Sequence, residues 1–437
     1  MTTPVTKLLL RTALLLGSVL PAPVRAAEDT LAIANMTFRT GPYAAAGTPL
    51  MDGQRDYMLM LNERDGGING IKLNYDECET GFSVDKATEC YDKAKASSLV
   101  TQPWSPAITL ELLPKASADK VPVLAPGYGF SAISDGKHFP WAFNPPVSYW
   151  DGASMMLKGI SGDDLDSLRG KKVVLLHLDG PYGEEPIPLL QAYADSFDFT
   201  LLPVPVAAKE MQSQSLQWAK IKSEKPDFVL LWGWGAMNGG ALAEAVKSGL
   251  AMDRLVGIWW SANDDDLKLV GEAAKGYRAL SWNLPALDAE VIKDIRKYVV
   301  DAGKSQTPLE ALDKVFYQRG VLISMLSAEA IKVAQEHFDK RLINGEQMRW
   351  GLENLKLDSD RLAALGMAGM IGPFATSCAS HAGNGSAWLL QWDGAKFVRA
   401  SHPLTADREM IAPLVDQQAG KFAAAHTPWP LNEACKN

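Results

Sequence analysis

From Thr30 onward the chain alternates short apolar runs with stretches whose apolar residues recur at helical spacing. Residues 31–36 predict a strand, 49–62 a helix, 71–75 a second strand after the turn Gly66-Gly67-Ile68-Asn69-Gly70, and 85–98 an amphipathic helix. Pro103-Trp104-Ser105-Pro106 opens another loop-to-helix unit, and 121–124 reads as a buried strand ending in Pro126-Gly127-Tyr128-Gly129. The three prolines of 139–146 mark a crossover. A second series follows, with strands at 171–176, 199–206, 226–232 and 255–260. Residues 277–282 read as a second crossover, 315–336 as a long helix, and 387–391 with 397–400 as a hairpin turning at Asp393-Gly394.

Repeated strand–helix units imply an α/β protein with parallel sheets covered by helices on both faces, and 437 residues suit two domains better than one core. The clearest unit is PDFVLLWGWGAMNGGALA, residues 226–243: a strand, a glycine loop, and a helix expected from Gly239 to Val246. Open α/β sheets bind small ligands at the carboxyl ends of their strands. This loop offers Trp232, Trp234 and backbone N–H groups at a helix start, which together suit a ring and an anionic head.

Lys7 and Arg11 precede a mostly apolar stretch over 13–20, and Val24-Arg25-Ala26 sets small residues before a cleavage point. Residues 1–26 therefore read as a secretory signal peptide. Its apolar core is too short for a bilayer span and no later stretch qualifies, so stable membrane insertion is not expected. Loss of the leader takes the formal charge from −8 to −11, which argues against nucleic acid as a partner. Cys78, Cys90, Cys378 and Cys435 are an even set in an exported chain, which favours disulfides. Three pairings are possible; sequence proximity points to Cys78–Cys90 and Cys378–Cys435. No CxxC or Cys/His cluster supports a metal site.

Aromatic residues crowd the expected strand ends: Tyr43, Trp104, Tyr128, Tyr182, Trp232, Trp234, Trp259 and Trp260. Core packing accounts for any one of them, but cores are filled from strand middles, so the shared position points to a ligand site. Signatures of enzymes are missing: no HExxH, GxSxG or GxxxxGK[ST] occurs. His177, at a strand end, reads as structural, and Asp264-Asp265-Asp266 as a solvated helix start. Gly233, Gly235 and Gly239 have the wrong spacing for a dinucleotide fingerprint, so no cofactor is expected.

In order and spacing, the segments GPYAAAG, GGINGIKLNY, VPVLAPG, GKKVVLLHLDGPYGEE, KPDFVLLWGWG, GLAMDRLVGIWW, AAKGYRAL and LLQWDGAKFV resemble the type I periplasmic solute-binding proteins of ABC importers, in the branched-chain (hydrophobic) amino acid group. The PGYG, WGWG and WW segments resemble a subgroup often associated with aromatic-compound degradation. The resemblance implies two doubly wound parallel-sheet lobes joined by three crossovers, lobe one at 27–145 plus 282–370 and lobe two at 146–281 plus 371–437. It implies a periplasmic location, a small-molecule ligand in the cleft, hinge closure and docking on ABC permease subunits, with no chemistry by the protein itself. Ser105, in QPWSPA, matches a serine that holds the ligand carboxylate. Tyr128 and Gly129 match a site offering a backbone N–H and a threonine hydroxyl, of which Gly129 retains only the backbone. Tyr182 and Trp234 match aromatics facing the ligand, and Tyr43 and Trp104 join the same candidate set.

The departure lies at Trp259-Trp260-Ser261, where amino-acid binders of the family carry an acidic residue for the α-ammonium. A buried ammonium without a partner is costly, and indole offers only an N–H donor and a ring face. Trp260 and Ser261 thus favour a small apolar or aromatic carboxylate, unless Glu184, Glu185 or Asp264 reaches the cleft. Branched-chain amino acid binding by the same mechanism is the alternative, and a ligand-sensing module for a signalling partner is the alternative of another class.

Overall fold

The computed structural model describes residues 1–2 and 29–435; the leader expected over 1–26 lies outside them apart from its first two residues. Strand β1 (Thr30–Thr37) is buried along all but its first residue, as a strand covered on both faces must be. It pairs in parallel with β2 (Lys72–Glu79) and β3 (Ser98–Gln102), and the sheet continues through β4 (Val123–Leu124) to β5 (Ala142–Phe143) in the order β2-β1-β3-β4-β5. The second sheet centres on β6 (Lys172–Leu178), whose apolar middle, residues 173–176, lies between β7 (Thr200–Val206) and β8 (Phe228–Trp232). From β8 it runs in parallel to β9 (Leu255–Gly257) and β10 (Arg278–Ser281).

The chain then leaves this sheet. Helix Val315–Phe338 packs along helix Ala44–Arg64 on the first unit, and helix Gly345–Glu353 lies against Val315–Phe338 and β3. Strands β11 (Lys356–Leu357) and β12 (Phe374–Ala375) form a separate antiparallel pair. The chain returns as β13 (Ser386–Trp392), antiparallel to β10, and closes with β14 (Phe397–Arg399) and β15 (Leu404–Thr405) on β13. It thus passes between two α/β units three times. Each sheet carries a point where strand order reverses, between β1 and β3 and between β6 and β8, the position where open sheets bind ligands.

Disulfides join Cys78 to Cys90, with Cα atoms 5.8 Å apart, and Cys378 to Cys435, 5.3 Å apart. No helix among the described residues is long and apolar enough to cross a membrane.

Four local expectations need correction. The helix expected through residue 98 ends at Ala94, and Ser98 starts β3, its hydroxyl taking the Ala34 N–H at 2.8 Å. The strand expected over 255–260 stops at Gly257, and Trp259–Ser261 is a 3₁₀ turn. The supposed crossover at 277–282 contains β10, a strand with neighbours on both sides. The helix expected from Gly239 begins three residues earlier, at Ala236, directly after its N-cap Gly235; within it a Cβ on Gly240 would collide with the Met211 carbonyl.

Candidate functional site: an aromatic cavity between the sheets

The carboxyl ends of both sheets converge on a cavity of about 180 Å³. This is well below the ~300–1,000 Å³ of drug-sized sites, so its occupant is small. The first unit supplies Tyr43 after β1, Phe82 after β2, Trp104 and Ser105 after β3, and Tyr128 after β4. The second supplies Leu178 to Tyr182 at the end of β6, Trp234 after β8 and Trp260 after β9, with Tyr149 from the start of helix Tyr149–Ser161.

Trp104 sets the first wall. It holds φ at +61°, a strained conformation for a bulky residue. Three contacts hold it there: its ring stacks on Tyr128 at 5.1 Å and 13°, its Nε1 donates to Asn35 Oδ1 at 2.6 Å, and its N–H donates to the Tyr128 hydroxyl at 3.0 Å. The turn delivers Ser105 to the N-cap of helix Pro106–Asp119, where Oγ accepts the Ile108 N–H at 3.4 Å. Pro106 and Ala107 also line the cavity, so the positive end of the helix faces it, an arrangement that favours an anion.

Trp260 is the second wall. It stands edge-on to Trp234 at 5.3 Å and 76°, to Trp104 at 6.4 Å and to Tyr128 at 6.5 Å, and its Nε1 donates to the Tyr149 hydroxyl at 2.8 Å. The phenols are engaged within the protein: Tyr128 donates to the Leu124 carbonyl at 3.1 Å and Tyr182 to the Gly233 carbonyl at 2.9 Å. Burial pushes the Tyr43, Tyr128, Tyr149 and Tyr182 hydroxyls above their ordinary pKa, so they stay neutral. Trp234 differs. Its Nε1 is buried and has no partner among the described residues.

Behind Trp260 lies Arg319, fully buried on helix Val315–Phe338. Its guanidinium donates to Asn283 Oδ1 at 2.8 Å, the Trp259 carbonyl at 2.7 Å and Ser281 Oγ at 3.0 Å. Burial pulls its pKa down to about 9, which leaves it charged at neutral pH.

Glu184, Glu185 and Asp264 do not line the cavity. Glu184 is exposed. The Glu185 carboxylate accepts the Ser131 N–H at 2.7 Å, and burial raises its pKa to about 7. Asp264 accepts the Val315 N–H at 3.3 Å. The Asp264-Asp265-Asp266 segment is a half-buried 3₁₀ turn, not a solvated helix start. Within it Asp266 accepts from Asn238 and Asn263, and burial raises its pKa to about 7. Among the described residues, the one carboxylate in the lining is Asp179, exposed, just after β6. His177 is buried, with Nδ1 3.1 Å from the Leu178 carbonyl, and burial lowers its pKa.

The structure brings Tyr43, Trp104, Ser105, Tyr128, Tyr182, Trp234 and Trp260 into one lining. Two expected residues lie outside it. Gly129 faces Ala125, Ile133 and Thr109, and the fully buried Ser261 gives its hydroxyl to Asn238 Oδ1 at 2.9 Å. Trp232 and Trp259 are fully buried in the core. Phe82, Tyr149, Asp179 and Arg319 were not anticipated. Asp179 was the findable one, since it ends an apolar strand run just as Trp234 and Trp260 follow theirs.

A family model described as periplasmic binding protein matches residues 30–396. Among solved structures, one described as an ABC transporter permease from the Pseudomonas fluorescens group is 34% identical, with a TM-score of 0.86, covering 93% of this chain and 99% of that one. A branched-chain amino acid ABC transporter protein from Thermus thermophilus with bound valine is 20% identical, with a TM-score of 0.73 and coverage of 88% and 98%. A solute-binding protein of an ABC transporter from R. palustris in complex with benzoate is 19% identical, with a TM-score of 0.65 and coverage of 87% and 98%. The last two show a shared fold alone. No curated protein sequence matches the chain.

Proposed function

Since this chain belongs to the periplasmic binding protein family, we propose that it is the extracytoplasmic solute-binding component of an ABC importer, capturing a small aromatic or apolar carboxylate and delivering it to permease subunits. The lobes at 27–145 plus 282–370 and at 146–281 plus 371–437 would close on the ligand by hinge motion. The observation that carries the ligand class is the chemistry of the lining. Tyr43, Trp104, Tyr128, Trp234 and Trp260 present ring surface, and away from the exposed Asp179 the polar groups beside them are donors: the Ser105 hydroxyl and the N-terminus of its helix. Donors suit a carboxylate; rings suit the rest of an aromatic acid.

Asp179 favours a second reading. A carboxylate at the rim is where the ammonium of a branched-chain amino acid would find a partner. Its exposure makes it a weaker anchor than a buried acid, because water screens the pair.

A thermal-shift screen of the mature protein with benzoate, phenylacetate, 4-hydroxybenzoate, phenylalanine and leucine separates the two. A ligand at ~100 times its Kd adds ~2.7 kcal/mol of stability. Shifts with the three aromatic acids and none with leucine are expected. A shift with leucine alone overturns the carboxylate reading in favour of Asp179.

A further inference from the structure

Arg319 is a cation in the core with no anion to match it. It is fully buried, its three hydrogen-bond acceptors are neutral, and among the described residues no carboxylate pairs with it. Three ring faces also stand close, with the guanidinium carbon 5.1 Å from the Trp260 centroid, 4.9 Å from Phe316 and 5.3 Å from Trp282. Rings of this kind attract a cation but do not neutralise it. A buried charge without a counter-ion is expensive, so the arrangement calls for a reason.

Its position supplies one. Trp260 separates Arg319 from the cavity. A ligand in van der Waals contact with that ring lies about 9 Å from the charge. Across an interior of low polarisability that field is worth roughly tenfold in the affinity of a unit anion. Asp179, of opposite sign, is at the exposed rim where solvent screens it. We propose that Arg319 is a specificity-determining positioning residue: its uncompensated guanidinium, acting through the Trp260 wall, makes the cavity select ligands that carry a negative charge. This rests on the reading of the cavity as a carboxylate site and names a residue that sets its preference for charge.

The test compares shape-matched pairs, benzoate with benzamide and isovalerate with isovaleramide, by calorimetry on the wild type, Arg319→Gln and Arg319→Lys. The wild type should bind the acid at least tenfold tighter than its amide in one pair or both. Arg319→Gln should lose most of that preference by weakening the acid while leaving the amide within about twofold. Arg319→Lys keeps the charge without the guanidinium fork, so it should keep the preference even with a lower melting temperature, which covers the case that the glutamine variant does not fold. Equal losses for acid and amide in Arg319→Gln, or a lost preference in Arg319→Lys, would mean a purely structural residue. A preference in the aliphatic pair with no aromatic binding sinks the aromatic reading and leaves the role of Arg319 standing. Binding of none of the four overturns both.

Discussion

Gly235 is where single-residue geometry and closure meet. It holds φ at +57° and ψ at −134°, a region glycine occupies freely and other residues do not. A Cβ there would stand 2.7 Å from Tyr43 Cδ1, on the opposite wall of the cavity. Gly235→Ala therefore combines about 1–2 kcal/mol of backbone strain with a wedge between the two units. We expect ligand affinity to fall at least tenfold, with a smaller change in the melting temperature of the ligand-free protein; calorimetry beside a melting curve reads both, and unchanged affinity would show that Tyr43 yields. At this scale most of the cavity was legible. Trp104, Tyr128, Trp234 and Trp260 sit just after strand-like runs, where a large ring has no core to fill. Tyr149 was not legible, because it starts a helix whose pattern reads as core. Arg319 was not either, because nothing in an apolar helix says whether its one arginine is paired. Ser261 misled through adjacency: next to Trp260 in a 3₁₀ turn, its side chain points to Asn238 instead of the cavity.

The helix Pro106–Asp119 shows how one element serves two ends. Ser105 caps its first turn and lines the cavity with the same side chain. Aspartate caps about as well as serine, whereas alanine costs about 1 kcal/mol. Ser105→Asp should then melt within a few degrees of the wild type while binding of a carboxylate drops beyond detection, because a second negative charge sits where the ligand oxygen belongs. Ser105→Ala should do the reverse, losing about 1 kcal/mol of stability with a milder loss of affinity. If Ser105→Asp binds benzoate normally, the carboxylate does not lie at this helix. The elements themselves were readable wherever burial on both faces forced a mostly apolar run, as in β1, β6 and β8. They were misread at their boundaries. The helix Ala236–Ser248 was set three residues late because Ala236, Met237 and Asn238 run straight on from Gly233 and Gly235, and within it Gly240 lets the helix pass close to the Met211 backbone. β3 was absorbed into the preceding helix because only three residues separate Ala94 from Ser98.

For the molecule as a whole, we expect closing of the units to be coupled to a proton. Glu185 follows β6 of the second sheet, and its carboxylate reaches Ser131, which follows β4 of the first. Trp150 reinforces the seam, donating its N–H to Ser131 Oγ at 3.2 Å and its Nε1 to the Glu185 carbonyl at 2.8 Å. The Ser131 N–H favours the ionised acid, but burial outweighs it and raises the Glu185 pKa to about 7. Hinge opening would return the side chain to water and to an ordinary carboxylate pKa near 4.3. The closed form then binds more protons than the open form between those two values, so closure strengthens as pH falls from about 7 and weakens as it rises. Asp266, also raised to about 7, is held by Asn238 and Asn263 within the second unit, so it shifts overall stability without distinguishing open from closed. Affinity for a ligand that stays ionised throughout should therefore be roughly thirtyfold higher at about pH 5.5 than at about pH 8. Glu185→Gln, which keeps an acceptor for the Ser131 N–H and cannot ionise, should flatten that profile at the tight end. Titrations of both proteins across this range decide it: a profile that stays steep in Glu185→Gln would assign the proton to another group, and a flat profile in the wild type would mean that Glu185 is equally buried in the open form.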